Sequence, residues 1–238
     1  MKNLGKLISG ELDRANKYKV LTIGVGVSLI WFVVIAMLPS SSLGMLIPLL
    51  ILTDSAVMSV ILMSASLFFE RQEGTLKTLS VTPSTVFEIL VSKIFMSVVI
   101  ALLSTAIVVI SVLIFHGMLI NVLLLIPYVI LITVLHSILG IAITLISRDF
   151  NSMLINFAGF VIVLDIPAIL SLLGAMPEWT ELFFLFIPSQ AAQILLSSTI
   201  TSTEPYKVLL SIGFIILWTI FLFFGAVYSK FKEYMVKG

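Results

Sequence analysis

Six apolar runs, each about twenty residues long and parted by short polar stretches, leave this chain few ways to fold. They cover residues 20–38, 43–69, 94–115, 122–147, 153–173 and 208–228. A bilayer core of about 30 Å takes roughly 20 apolar residues in a helix. Within hydrocarbon every backbone N–H and C=O must find its partner inside the protein, so runs of this length fold as helices. The expected fold class is therefore all-α, a polytopic membrane protein with six transmembrane helices. Composition agrees: 60% of the residues are hydrophobic and 11% charged, against about 25% charged in a soluble domain. The first run exceeds the roughly 7–15 apolar residues of a cleavable signal peptide, and no small-residue cleavage pattern follows it, so it reads as a span.

Charge placement sets the expected orientation. With both termini cytoplasmic, the inner side collects Lys2, Lys6, Arg14, Lys17, Lys19, Arg71, Lys77, Lys93, Arg148, Lys230, Lys232 and Lys237, twelve of the thirteen basic residues, and only Lys207 falls outside. That is the positive-inside bias. A further apolar stretch, Leu182 to Ile200, carries Pro188, Ser189, Gln190 and Gln193 in its middle. Counting it as a span would send the basic tail 229–238 to the wrong side. It reads instead as two short helices inside an external segment, 174–206. A net charge of +1 speaks against a general polyanion surface, so no nucleic acid is expected as a partner. The absence of cysteine leaves no disulfide framework and no thiolate chemistry.

Residues 1–19 read as an amphipathic helix lying in the cytoplasmic interface. Leu4, Leu7, Ile8, Leu12 and Ala15 recur at helical spacing, while Lys6, Glu11, Asp13, Arg14 and Lys17 fall elsewhere on the wheel. Between spans two and three lies a cytoplasmic loop, 70–93, whose core is "FFERQEGTLKTLSVTP". Gly74 suits a bend, and Thr75 an N-cap whose hydroxyl accepts from the first turn. Leu76, Leu79 and Ser80 then share one face. Thr82 and Pro83 end the turn, because a residue before proline avoids the helical region. A new helix is expected from Ser84, leading into span three.

The run "FFERQEGTLKTLSVTPSTVFEILVSKI" resembles the signature loop of the type-2 ABC transporter permeases, in which Glu-Arg-x-x-Gly-Thr-Leu, a Thr-Pro and a lysine at the next span follow in that order. The matching residues are Glu70, Arg71, Gly74, Thr75, Leu76, Leu79, Thr82, Pro83 and Lys93, with Glu73 at the second acidic position. The likeness spans the chain, down to "GAMPEWTELFFLFIPSQAAQIL" between spans five and six. That stretch is similar to the family's Leu-Pro-x-Trp segment and the helical Asn-Pro segment after it, although Ile187 stands where the family has asparagine.

The resemblance implies that the loop is a coupling helix seated on a nucleotide-binding subunit, with Leu76 and Leu79 as the docking face and Glu70, Arg71, Glu73 and Lys77 setting register. The chain has no Gly-x-x-x-x-Gly-Lys-[Ser/Thr] loop: Gly5-Lys6 lacks the upstream glycine and the following hydroxyl. The expected protein is a non-enzymatic permease subunit of an exporter of amphipathic compounds (drugs, antimicrobial peptides or lipids), with multidrug resistance as the accompanying phenotype. It binds no cofactor of its own. ATP and Mg belong to a separate cytoplasmic ABC ATPase, a second permease half completes a homodimer or a pair with a related chain, and lipid of a prokaryotic plasma membrane surrounds it.

Asp54 and Asp165 lie inside spans two and five, and a carboxylate in hydrocarbon usually faces a protein interior or a watery cavity. One reading puts them at the dimer interface beside a substrate path for cationic or hydrogen-bonding amphiphiles. The other has Asp54 bonded to local serines such as Ser55 and Ser59, and Asp165 capping a helix break at Pro167. His116 and His136 have no third ligand and carry no metal expectation. Two other classes remain: a secondary transporter, discriminated by gradient dependence without ATP, and a membrane-embedded enzyme using Asp54 and Asp165 as a pair.

Overall fold

The computed structural model describes residues 4–175, 177 and 180–237. It bears out the all-α, six-span class: six helical stretches are long and apolar enough to cross a bilayer, Val20–Met37, Ser40–Gln72, Val86–His116, Val122–Ile146, Phe150–Ser171 and Pro205–Val236. Helix α1 (Leu4–Lys17) precedes α2 (Val20–Met37), and Lys19 between them takes φ 59°, which turns the chain sharply. The second span is built in pieces: α3 (Leu43–Leu52), a π-helical turn at Thr53–Met58, and α4 (Ser59–Gln72). Two further π turns occur, at Val161–Asp165 between α8 (Phe150–Phe160) and α9 (Ile166–Leu172), and at Phe223–Val227 between α12 (Pro205–Leu222) and α13 (Tyr228–Lys237). Such turns lodge one extra residue per ring and recur at functional positions. Two of the three hold the membrane carboxylates Asp54 and Asp165.

Some elements run as the sequence leads one to expect and others differ. The loop's second short helix and span three are one piece, α6 (Val86–His116), started by a reciprocal cap in which the Glu88 amide donates to Thr85 Oγ1 at 3.2 Å and the Thr85 amide donates to Glu88 Oε2 at 3.0 Å. The helix after the Thr-Pro break thus leads straight into span three with Lys93 inside it, as the sequence leads one to expect, and begins at Val86 rather than Ser84. Residues 229–237 are helical too, and Phe231 and Met235 are buried. Between spans five and six stand α10 (Glu181–Phe184) and α11 (Pro188–Ser197). Helix α11 is buried from Pro188 through Leu196, packed on α3, α7 (Val122–Ile146), α9 and α12. Protein, not an interface, covers it, and that is what permits its polar residues. Of the external motif, Met176, Glu178 and Trp179 lie outside the described residues.

Lipid tails are as apolar as the side chains, so span association relies on close packing and polar contacts. Gly140 of α7 shows the first: a Cβ there would fall 2.6 Å from the Val60 carbonyl oxygen of α4. Only glycine lets these two backbones approach so closely.

Candidate functional site

The site grows from a stripe of α1. Leu7, Glu11 and Ala15 are its buried residues, four apart and hence on one face. Glu11 thus points inward among apolar neighbours, while Leu12, expected inside, is 44% exposed. The reason is a cation waiting on α6. Lys93 Nζ donates to both Glu70 oxygens at 2.7 and 2.6 Å and lies 3.0 Å from Glu11 Oε1. Arg14 Nη2 donates to Glu11 Oε1 at 2.7 Å, and its Nε stands 3.8 Å from Glu70 Oε1. Two carboxylates and two cations balance. Glu70 is 0% exposed, Lys93 3% and Glu11 5%. Burial opposes ionisation of Glu11, but the adjacent Lys93 and Arg14 outweigh it and hold its carboxyl below the ordinary range.

Above this cluster a second tie joins the α1–α2 corner to the loop. Lys17 Nζ donates to Glu73 Oε2 at 2.5 Å and the Tyr18 hydroxyl donates to the same oxygen at 2.8 Å. The Lys17 bond, then that of Tyr18, lowers the Glu73 carboxyl from its usual value. Burial and the Glu73 bond push Tyr18 up to about 12.

The short helix α5 (Thr75–Ser80) follows. Its N-cap is Gly74, at φ 72° and ψ 8°, not Thr75, which is the first helical residue. A left-handed residue here is what glycine tolerates best. Leu76 is 0% exposed and Leu79 8%, packed in one apolar cluster with Leu7, Leu67, Leu90, Phe231 and Met235. This corrects the expectation that they form an outward docking face: α13 and α1 already cover them. The open side of the loop carries Lys77, Thr78, Val81 and Pro83, with Val81 84% exposed. Thr82 Oγ1 donates to the Leu79 carbonyl at 2.7 Å and closes the helix end. Arg71 sits with its guanidinium over the Tyr234 ring, 4.9 Å from the centroid, so it braces α13.

The two membrane carboxylates have separate homes. Asp54, 4% exposed, accepts from Trp31 Nε1 of α2 at 3.1 Å and from Ser104 Oγ of α6, beside which lies Ser28 Oγ. Its partners are thus not Ser55, which donates to the Ile51 carbonyl at 2.7 Å, and its carboxylate is turned into its own chain. Asp165, 3% exposed, accepts from Ser189 Oγ of α11 at 2.5 Å, and Oδ2 has no partner among the described residues. It makes no capping bond to α9. The two carboxylates share no hydrogen-bond donor and are held by different helices. Between α2, α4 and α6 runs a narrow cavity of about 40 Å³, lined by Asp54 and Ser104 at one end and Glu11 and Lys93 at the other. It has room for roughly three waters at 10–15 Å³ each. His136 Nδ1 contacts the Ile132 carbonyl at 2.8 Å, and among the described residues no group of three or more potential metal ligands occurs.

Sequence reasoning set Glu70 among the register charges and Lys93 on the polar side of the helix entering span three, and it missed that they pair with each other and with Glu11 and Arg14. The signal was present in the spacing Leu7, Glu11, Ala15, which puts a carboxylate on the inner stripe. What fold and site define is a multi-pass all-helical membrane protein whose polar groups brace helices against one another. Comparison with known proteins narrows this. The chain belongs to the Fluoroquinolones export permease protein family, whose sequence profile matches residues 2–238, and is accordingly a membrane permease of an export family. No curated protein matches it significantly.

Proposed function

We propose that this chain is the permease subunit of a type-2 ABC exporter, driven by ATP and Mg on a separate cytoplasmic ATPase and paired with a second permease half. Both termini lie in the cytoplasm of a prokaryotic cell. The observation that carries the reading is the buried charge cluster. Glu70 at the end of α4, Lys93 in α6 and Glu11 and Arg14 in α1 are locked together beside α5. A push on α5 from below therefore passes to two spans as a rigid-body displacement instead of being absorbed in a loop. The ATPase meets the open side, Lys77, Val81 and Pro83, while Leu76 and Leu79 fasten the lever to the body. The family's name supplies the substrate class, amphipathic aromatic drugs of the fluoroquinolone kind.

Isolation of the chain from its native membrane with its associated proteins, followed by ATP hydrolysis in vesicles with and without a fluoroquinolone, tests this. An ATPase subunit that copurifies and is stimulated by the drug is the expected result. Drug efflux that persists without ATP and collapses with the ion gradient would replace the reading with secondary transport.

A further inference from the structure

The end of the bundle that carries α1 and α5 also carries a groove that the coupling cluster does not use. It lies where α4 and α7 end beside the first turns of α13, has a volume of about 460 Å³, and is lined by Arg71, Ile146, Arg148, Lys230, Glu233 and Tyr234 among others. Three cations from three separate elements thus face one carboxylate across the same space. Among the described residues neither Arg148 nor Lys230 has an ion pair, and both are exposed. Arg71 is held in place by the Tyr234 ring.

Arg71 stands at the last turn of α4, Arg148 just beyond α7 and Lys230 near the C-terminal end of the continuous helical stretch Pro205–Val236, and what distinguishes them from scattered surface charge is that they line one groove. Beside the basic lining, Ile146 is 66% exposed and Leu145 belongs to the groove wall. The groove therefore has an apolar flank on α7, the face of a membrane span, next to a cationic floor. Basic pockets between spans at the edge of the bilayer recognise acidic lipid headgroups. Arginine supplies paired donors for phosphate oxygens and lysine a point charge.

We propose that this groove binds the phosphate of one anionic phospholipid, with Arg148 and Lys230 as its principal cations, Arg71 as a fixed third, and the acyl chain beginning along Ile146. Glu233 lies on the same lining and its side chain already has an interaction of its own. A glycerol headgroup adds no positive charge and fits. A choline headgroup brings its own cation, which must crowd against Arg148 or Lys230.

The test uses the full chain in detergent with phosphatidylglycerol or phosphatidylcholine added, bound lipid being counted by native mass spectrometry. Wild type is expected to retain phosphatidylglycerol over phosphatidylcholine. Arg148→Gln with Lys230→Gln should lower phosphatidylglycerol affinity about thirty-fold, which at about 1 kcal/mol per basic residue and 1.4 kcal/mol per tenfold is the loss of two cations. The charge-keeping pair Arg148→Lys with Lys230→Arg should stay within about threefold of wild type, which separates a lost site from a misfolded chain. Equal retention of phosphatidylglycerol by wild type and the Gln pair overturns the proposal. So does displacement of the lipid by millimolar inorganic phosphate, which would make the site one for a free anion. Occlusion of the groove by a copurified protein subunit, with no lipid retained, would assign it to a partner instead.

Discussion

Replacing Lys93 by methionine should strike the protein at one of its most buried charges. The ammonium makes two short bonds to Glu70, at 2.7 and 2.6 Å, and a third contact to Glu11 at 3.0 Å. After the change the Glu70 carboxylate, 0% exposed, is left with Ser66 Oγ at 3.4 Å and Arg14 Nε at 3.8 Å. Removing one member of a buried pair costs about 3–5 kcal/mol, because the other charge stays desolvated. At roughly 2–4 °C per kcal/mol for a chain of this size, thermal unfolding in detergent should drop by about 6–20 °C. The magnitude of the pair itself requires a second variant. Glu70→Leu with Lys93→Met removes both charges and fills the space with apolar atoms, a change that is often neutral. Melting should therefore return to within a few degrees of wild type, while drug-stimulated ATP hydrolysis stays low because the brace between α1, α4 and α6 is gone. A Lys93→Met protein that melts like wild type would refute the argument. So would a double variant that loses the sum of its single changes.

Three further outcomes follow from the geometry. Val81→Asp, on the open side of the loop, should leave melting within about 0.5 kcal/mol of wild type yet cut ATPase stimulation, whereas Leu76→Ala should cost about 2–5 kcal/mol as a plain loss of packing. Stimulation and melting measured on both variants decide which face meets the ATPase. Gly140→Ala puts a methyl 2.6 Å from the Val60 carbonyl, and overpacking of about 1–3 kcal/mol should appear as a lower melting temperature. A shift to higher temperature would mean that α4 and α7 part easily. Glu11 titrates below its ordinary value of 4.5 when folded, so its contribution is full above that value and is lost as the pH falls through the lower folded one. Melting measured from pH 7 down to pH 3 should decline across that window in wild type and less steeply in Glu11→Gln.

Span number and fold class were legible because length and hydropathy are local properties of a membrane helix. So was the presence of a jointed helix at Thr75–Ser80, since Gly74 and Pro83 announce its ends. The direction in which Leu76 and Leu79 point was not, because the residues that cover them, Phe231 and Met235, lie at the far end of the chain. Nothing local distinguishes a leucine pair that waits for a partner from one that has met its own C-terminus. Asp54 escaped for a similar reason: serines next to it in sequence were the nearest candidates, and its actual donors come from α2 and α6. For Asp165 neither the substrate path nor the proline break named its donor, Ser189 of α11.

The π turn at Thr53–Met58 resolves a conflict of angle on the second span. Along α6, Lys93 and Ser104 stand eleven residues apart, about 20° from alignment at 100° per residue, so both look out of one face. Their partners on span two, Glu70 and Asp54, are sixteen apart, and in an unbroken α-helix they would diverge by about 160°. Absorbing one extra residue takes out about 100° of that divergence, and both carboxylates turn toward α6. Closing this turn into α-helix with all sixteen residues kept would force a choice between the two bonds, whereas loss of one codon just after Asp54 would heal the helix and leave both carboxylates turned toward α6.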